Sequence, residues 1–455
     1  MEKLTRDRSA LFHWQGRPPA GAAVSLALQH LVAMIIGCVT PAIIISNTVG
    51  LPQSERILLI QASLVMSAVS TLFQLFPIGG RFGAGLPVIL GVSFAYLPSM
   101  QAIAQGGGLA AVIGASLAGG VVAILVGLFI KPIRRLFPPI ITGTVVFTIG
   151  LSLYPIAINY MAGGAGSTYD LIVKTKGLTP ALVYGSWQNW LIAAVTLTAV
   201  MLLNNHGKGV CKLASILLGM LCGYLVAICF HMVNFAEIGQ ASWFALPRLL
   251  HFGVKFQPSA CVAIGLLFAI NSIQAIGDFT ATTVGGFNRE PTDRELQGGI
   301  IAYGATNMLS ALFGGLPTAT YSQNVGIVST NKVVNRRVFT LAALFLLLAG
   351  VCPKFSALLT TIPQCVLGGA TVTVFSTIAM TGMKLITSQT LTARNTTIVG
   401  LSAALGVGIS QASAALSNFP KEFVIIFGKS PVVIATLMAV LLNLILPKDA
   451  EPAKK

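Results

Sequence analysis

Two stretches of sequence decide the fold: Gly85-Leu86-Pro87, which leads to Ser93-Phe94, and Gly315-Leu316-Pro317, which leads to Gln323-Asn324. In each stretch a polar residue lies six positions after the proline. Each proline interrupts an apolar run long enough to cross a membrane, because it removes a backbone donor and clashes with the preceding helical turn. Non-helical backbone at bilayer depth requires protein or water to satisfy its polar groups. A matching pair of breaks in two halves of a chain is typical of a transporter's binding site.

The composition indicates a membrane protein. Of 455 residues, 55% are hydrophobic and only 9% are charged, which is too few polar residues to cover a soluble globule. We count fourteen apolar runs able to cross about 30 Å of hydrocarbon, seven in each half of the chain. We therefore predict an all-α polytopic membrane protein with fourteen transmembrane segments.

An odd number of segments per half predicts an inverted repeat, because the second half then enters the membrane with the opposite orientation. The two breaks occupy the third and tenth segments, near 85–104 and 316–332, related by a pseudo-twofold axis in the membrane plane. We expect each break to continue as a short extended stretch and then a half-helix. The N-terminal amides of such a half-helix form a partial positive pole for an anionic or carbonyl-bearing ligand.

The net charge of +16 does not indicate a nucleic-acid partner, because the basic residues are scattered through loops without interleaved aromatic residues. If both termini are cytoplasmic, most Lys and Arg residues, including clusters at 131–135 and 332–337, lie on the inside, as the positive-inside rule requires. The N-terminal stretch lacks the features of a signal peptide. We predict a multi-pass protein of the cell (inner) membrane, with 1–20 and 448–455 as cytoplasmic tails.

The sequence contains no signature of catalysis or of a metal site. The seven cysteines form no Cys-x-x-Cys pair and mostly fall in apolar runs, where a thiol behaves as a small hydrophobe. Gly-x-Ser-x-Gly, His-Glu-x-x-His and a Walker-type glycine loop are all absent from the sequence. We predict no enzyme activity, no catalytic residue, no metal, no cofactor and no ATP-driven pump.

Asp278 is the one acid that falls within an apolar segment, the eighth, whereas the other eleven lie in tails, loops or segment ends. Placing a carboxyl at bilayer depth costs roughly 2.5–3.5 kcal/mol of insertion free energy. A residue retained at this cost is expected to have a function. Gln274 and Asp278 share a helix face, with Asn271 close by. Asp278 either carries a proton or contacts a ligand, or it is a buried carboxyl bonded to backbone amides of the neighbouring broken segment.

Gln323 and Asn324 place two amides in succession after the second break. An extended backbone would point them to opposite faces, so one could face a ligand while the other braces the scaffold. Amides recognise heterocycles well, because each offers donors and an acceptor. The alternative is an interhelical amide bond, which is common in membrane bundles.

Other residues near the breaks are candidates for lining the same site. Phe94, Tyr96 and Tyr321 could stack on a flat ring, although a single aromatic residue is more often packing. Gly326 would allow another element to approach closely. In the first segment, a structural role for His30 with a hydrogen-bond partner is favoured over direct proton transfer.

At these residues the chain resembles the nucleobase-ascorbate transporter family, also called the nucleobase:cation symporter family. The most specific match is Gln323-Asn324-Val325-Gly326, which fits the family signature Gln-Asn-x-Gly. Supporting stretches are 85–91, 29–31, 157–164 and 361–370. Together they are more similar to bacterial xanthine and urate permeases than to the uracil branch.

The resemblance implies a two-domain organisation: a core domain of 21–130 (segments 1–4) and 258–357 (segments 8–11), and a gate domain of 131–231 (segments 5–7) and 358–447 (segments 12–14). Substrate would bind between the third and tenth segments. Gln323 would bond the purine with Asn324 as its supporting neighbour, Phe94 would lie at the ring, and Ser93 would act as a selectivity filter among oxidised purines. The partners implied are a small purine, a proton or sodium, and the lipid bilayer; whether the protein forms a homodimer stays open.

Two residues depart from the family pattern. Gln274 stands where the family usually has a glutamate tied to proton coupling, and Tyr303 stands where several purine transporters have an aspartate; Tyr303 is a further candidate for the pocket lining. Glutamine can bond a ring but cannot exchange a proton near neutral pH. Asp278, which with His30 matches a polar position of the family, is left as the main candidate proton carrier.

The leading prediction is therefore a secondary transporter that takes up an oxidised purine, xanthine or urate, by proton symport. The alternative is an anion carrier or an uncoupled purine facilitator on the same fold. A channel would need a continuous polar path, against which the few polar residues argue.

Overall fold

The computed structural model describes residues 8–130, 138–164, 183–420, 423–428 and 430–447. The expectations for the basic cluster at 131–135, for the tail at 448–455 and for the first seven residues of the N-terminal tail lie outside these residues.

The described chain is mostly helical. Two three-residue strands interrupt the helices: β1, Leu90–Val92, and β2, Thr318–Thr320. Two short helices, Val210–Leu213 and Ala236–Gln240, are left out of the helix numbering that follows. The labelled helices are α1 Ala20–Thr48, α2 Gln53–Leu75, α3 Leu97–Leu128, α4 Pro139–Met161, α5 Trp187–His206, α6 Ser215–Cys229, α7 Pro258–Thr282, α8 Asp293–Leu312, α9 Ser322–Asn331, α10 Arg336–Val351, α11 Pro353–Thr360, α12 Gln364–Thr387, α13 Ala393–Gln411 and α14 Pro431–Ile445.

Within the described ranges, seven helices are long and apolar enough to cross a membrane. An eighth crossing results if α10 and α11, which meet at 79°, are counted as one bent span. The prediction of a mostly helical, polytopic membrane protein is confirmed. Between the predicted third and fourth segments, α3 is interrupted at Gly108, whose φ is 70° and ψ is −175°, so that two helical parts meet there at a kink. A positive φ of this kind bends the chain at little cost only at glycine.

The two strands pair with each other in the interior. They run antiparallel, with Leu90 opposite Thr320 and Val92 opposite Thr318. The ladder extends beyond the strands, because Ser93 N–H donates to the Pro317 carbonyl at 3.1 Å. The backbone groups that leave helical geometry after each proline therefore satisfy one another, which is the requirement for non-helical backbone at bilayer depth.

The helices pack into two groups. The first helix group contains α1, α2, α3 and α7 to α11; within it α3 packs on α7 and α8, and α10 packs on α1 and α2. The second helix group contains α4, α5, α6 and α12 to α14; within it α12 packs on α4 and α5, and α13 packs on α14. Both strands belong to the first helix group, where β1 packs on α2 and α1.

Candidate substrate site

A cavity of about 190 Å³ lies between the two helix groups, beside the paired strands. The first helix group contributes α1, the residues after β1, α7 and the β2–α9 junction. The second group contributes α4, α6 and above all α12. The predicted site residues that line the cavity are Ser93, Phe94, Gln274, Tyr321 and Gln323. The strand pairing brings Ser93 and Phe94 together with Tyr321 and Gln323, and α7, which packs on α9, adds Gln274.

Two side-chain amides face the cavity without a protein partner. Neither the Gln274 amide nor the Gln323 amide makes a hydrogen bond to any other described residue, and the Gln323 side chain is exposed to the cavity. The Ser93 hydroxyl oxygen is occupied in part, because it accepts from Ala95 N–H at 3.2 Å and so caps the short 3-10 helix that precedes α3. The two amides are therefore available to a ligand, each with donors and an acceptor.

Phe94 makes an aromatic contact across the boundary between the two helix groups, at the edge of the cavity. Its ring meets that of Phe375 on α12 edge to face, with centroids 5.0 Å apart and planes at 77°. Val146 and Val374 add aliphatic surface from the second group. The cavity therefore combines apolar side chains with a few side-chain amides, the usual composition of small-molecule sites.

The Tyr321 ring at the cavity packs closely against two glycines. A Cβ on Gly37 would lie 2.6 Å from the Tyr321 hydroxyl oxygen, and one on Gly91 would lie 2.5 Å from its ring carbon Cε2. Because a larger side chain at either position would collide with the ring, the two glycines leave the room that the Tyr321 side chain occupies. Its hydroxyl donates to the Val92 carbonyl at 2.7 Å, so the tyrosine also ties α9 to β1.

Asp278 is buried and does not itself line the cavity. Its carboxylate accepts from the Ser322 hydroxyl at 2.8 Å and from the Thr320 hydroxyl. Both of these residues do line the cavity. The expected bond to backbone amides is replaced by bonds to side-chain hydroxyls. The expected polar stripe also divides: Gln274 reaches the cavity, whereas Asp278, one helical turn further along α7, faces the β2–α9 junction.

Asn324 and His30 form a buried pair away from the cavity. Asn324 donates its amide to the His30 Nδ1 atom at 3.0 Å and to the His30 carbonyl at 3.1 Å. The expectation of an extended backbone at Gln323 and Asn324 differs from the structure, which places both in the first turn of α9. Successive helical residues point about 100° apart, so one amide turns to the cavity and the other to α1.

Three other candidates also lie away from the cavity. Tyr96 and Tyr303 are fully buried and their hydroxyls bond each other, so they join the start of α3 to α8 rather than line a pocket. Both rings pack against Phe268 of α7. Gly326 faces open space further along α9, where a Cβ would meet no atom within 4 Å. Tyr303 therefore makes a structural contact at the position where the resemblance implies an aspartate in several purine transporters.

The cavity also contains hydroxyl groups that were not predicted from the sequence. Thr371, Thr377 and Thr381 of α12 line it from the second helix group, opposite Thr320 and Ser322 of the first. Thr377 and Thr381 lie four residues apart, so they share a helix face. That spacing is the signal that could have identified them.

Solved transporters share this fold. The transmembrane domain of a cyanobacterium bicarbonate transporter, BicA, matches with a TM-score of 0.60 at 17% identity, covering 93% of this chain and 97% of that one. The murine anion transporter Slc26a9 matches with a TM-score of 0.60 at 9% identity, covering 95% and 69%. These likenesses concern the fold alone. The fold is that of a polytopic helical membrane protein.

Residues 21–414 match the family model described as Permease family. The chain belongs to this family, the nucleobase-ascorbate transporters, and it is a transporter and not an enzyme. Uric acid permease PucK of Bacillus subtilis is 33% identical over 420 residues, covering 92% of this chain and 94% of that protein. Xanthine permease XanP of Escherichia coli is 30% identical over 462 residues, covering 98% and 96%.

Proposed function

We propose that the protein is a secondary active transporter that takes up an oxidised purine, xanthine or urate, across the cell (inner) membrane with a proton as the coupling ion. The observation that carries the proposal is the pair of amides, Gln274 and Gln323, which have no hydrogen-bond partner among the described residues and share a cavity with the Phe94 ring. The names of the relatives, uric acid permease and xanthine permease, support the same substrate class.

The shape and chemistry of the cavity suit a single bicyclic ring. Its volume of about 190 Å³ is below the roughly 300–1,000 Å³ of sites for drug-sized ligands. Each lactam edge of an oxidised purine presents one N–H donor beside one carbonyl acceptor. A glutamine amide complements such an edge with its own acceptor and donor. Two amides can thus recognise two edges, and each further oxidation of the purine adds an edge to recognise.

The proposed architecture is a 7+7 inverted repeat of fourteen segments, broken at the third and tenth, with both termini cytoplasmic. The core domain would be 21–130 and 258–357, and the gate domain 131–231 and 358–447. The strand pairing after the two prolines and the packing of the helices into two groups support this assignment. Movement of the gate against the core would expose the cavity between them first to one side of the membrane and then to the other.

Coupling would act through the hydroxyls that join Asp278 to the cavity. An ionised carboxylate accepts hydrogen bonds from both Thr320 and Ser322, as observed. A protonated carboxyl becomes a donor itself, so one of the two hydroxyls then accepts from it and directs its own proton to another acceptor. Because both residues line the cavity, protonation would change the hydrogen-bonding groups presented to the purine.

An uncoupled purine facilitator is the second candidate. It is favoured by the amide at Gln274, which does not titrate, and by the position of Asp278 behind the cavity wall. An anion carrier is less well supported, since no Lys, Arg or His among the described residues lines this cavity.

Uptake by the purified protein in liposomes tests the proposal. Radiolabelled xanthine should enter saturably, should accumulate above equilibrium when the outside is acidic, and should be displaced by unlabelled urate but not by uracil. Accumulation to equilibrium only, whatever the pH gradient, would establish the facilitator instead. Equal displacement by uracil, or an absence of purine uptake, would contradict the proposed substrate class.

A further inference from the structure

The segment 241–257 connects the two helix groups, because it comes after α6 and the short helix Ala236–Gln240 and leads directly into α7. This connecting segment contains neither helix nor strand. Seven of its large apolar side chains are between 36% and 77% exposed: Trp243, Phe244, Leu246, Leu249, Leu250, Val254 and Phe256. Exposed apolar surface of this extent is unfavourable in water and is typical of a surface that meets a membrane or another protein.

The backbone of the connecting segment is bonded to the first helix group. Ala245 N–H donates to the Val351 carbonyl at 3.1 Å. Leu250 N–H donates to the Leu312 carbonyl at 2.7 Å, and Lys255 N–H donates to a carbonyl of α3 at 2.9 Å. Val351 and Leu312 are the last residues of α10 and α8. The segment therefore lies across one end of the first helix group, and the helices there satisfy these backbone donors.

The exposed side chains point away from those helices. Between positions 244 and 248 the exposure alternates: Phe244, Leu246 and Arg248 are exposed, whereas Ala245 and Pro247 are half-buried. An alternation of period two is typical of an extended chain that has one face on the protein and the other face outward. The segment therefore presents its larger apolar side chains to whatever surrounds the protein at this level.

Trp243, the most exposed of the seven, is held in place by a cation. The Lys354 Nζ atom lies 4.9 Å from the centre of the Trp243 ring, and it also donates to the Ile238 carbonyl at 3.3 Å. A cation over the face of an aromatic ring attracts the ring and stabilises its position. The largest apolar side chain of the segment is thus presented outward in a defined place.

The charge of the connecting segment is positive. Its charged residues are Arg248 and Lys255, and both side chains are exposed. Neither forms an ion pair with any residue that the structure describes. Aromatic and basic residues together are typical of a segment at the surface of a membrane, where the basic residues attract anionic lipids.

The depth of the segment in the membrane follows from its neighbours and its backbone. Because α7, which begins at Pro258, is one of the helices long and apolar enough to cross the membrane, the segment ends where a crossing begins. Backbone without helical hydrogen bonds does not lie exposed to lipid tails, whereas the apolar side chains are unfavourable in water. The headgroup region of the bilayer satisfies both conditions.

We propose that the connecting segment is a binding surface for an anionic phospholipid. Trp243, Phe244 and Leu246 lie among the headgroups and the first carbons of the lipid tails. Arg248 and Lys255 pair with the negatively charged phosphate of the lipid. Because the backbone bonds of the segment go to α3, α8 and α10, the lipid anchors the first helix group at this end. The proposal concerns the bilayer and holds whichever solute the protein carries.

Fluorescence of Trp243 tests the position of the segment. Trp14→Phe, Trp187→Phe and Trp190→Phe together leave Trp243 as the sole tryptophan of the chain. In phosphatidylcholine liposomes its fluorescence should be quenched most by lipids brominated near the headgroup, and less by lipids brominated towards the ends of the tails. Acrylamide, an aqueous quencher, should reach it poorly. Full access to acrylamide without quenching by brominated lipids would overturn the proposal, as would the strongest quenching from the ends of the tails.

The control carries its only tryptophan in the loop before α8. Glu290→Trp combined with Trp243→Phe places it at an exposed position there, where acrylamide should quench it and brominated lipids should not.

A measurement on the unaltered protein depends on no variant. Phosphatidylglycerol with a photoreactive diazirine beside its headgroup should leave adducts on peptides from 241–257, identified by mass spectrometry. Reaction of other peptides without any adduct on this segment would contradict the proposal.

Selectivity for anionic lipid tests the two cations. At low salt, brominated phosphatidylglycerol should bind beside Trp243 about fivefold or more tightly than brominated phosphatidylcholine. Arg248→Gln with Lys255→Gln should lower this preference to within about twofold. Lys208→Gln with Lys212→Gln, which removes two exposed cations before α6, should leave it unchanged. Equal binding of both lipids in the parent protein, or an unchanged preference after the loss of Arg248 and Lys255, would overturn the headgroup site.

Discussion

Asp278→Asn is expected to abolish the accumulation of purine driven by an acidic exterior, while exchange of labelled for unlabelled purine across the membrane continues. Asparagine keeps the size of the side chain and can still bond the hydroxyls of Thr320 and Ser322, but it cannot bind and release a proton. Because Gln274 does not titrate either, the variant has no carboxyl next to the cavity among the described residues. Internal purine should therefore rise only to the equilibrium level.

The measurement is uptake in liposomes with and without an imposed pH gradient, together with counterflow in the absence of a gradient. Glu290→Gln is the matched control, because it removes an exposed acid in the loop before α8 and should leave accumulation unchanged. Retained gradient-driven accumulation in Asp278→Asn would show that Asp278 does not couple transport. Loss of both accumulation and counterflow in a folded protein would assign Asp278 to binding instead.

Gln323→Ala is expected to weaken purine binding by roughly 1–3 kcal/mol, or about 5- to 150-fold in Kd. The variant leaves one lactam edge of the bound purine without its partner in a partly desolvated cavity. Equilibrium binding of labelled xanthine to purified protein measures the change.

A loss of affinity caused by a damaged fold can be distinguished from a lost contact with the purine, because the Gln323 amide makes no hydrogen bond to any other described residue. The thermal unfolding temperature of the ligand-free variant should therefore stay close to that of the wild type. Gln101→Ala is the matched control: this glutamine lies outside the cavity and donates to the Thr48 hydroxyl at 3.1 Å. Its substitution should leave xanthine affinity within about twofold, whereas unchanged affinity in Gln323→Ala would remove Gln323 from the site.

The sequence predicted the features that depend on local pattern. Apolar runs identified a helical membrane protein, and the residues around Gln323 identified the family, both of which are confirmed. The sequence also singled out Ser93 and Gln323, because each follows a proline at the same offset. In the structure both residues line one cavity.

Contacts between distant elements could not be predicted in this way. The hydroxyl partners of Asp278 come from residues 42 and 44 positions further along the chain, and no periodicity reports such a pairing. The contact between Tyr96 and Tyr303 likewise depends on how α3 crosses α8. The first turn of α9 begins at Ser322, one residue after the end of β2. The direction of the Asn324 side chain depends on this helix start. No capping side chain marks the start in the sequence, so the direction could not be predicted.

The most direct test of the central claim is a cryo-electron microscopy structure of the protein with xanthine bound. The ring should lie in the cavity between the two helix groups, against Phe94, with its edges about 3 Å from the amides of Gln323 and Gln274. A map in which this cavity is filled by packed side chains, or in which xanthine occupies a different place, would contradict the account.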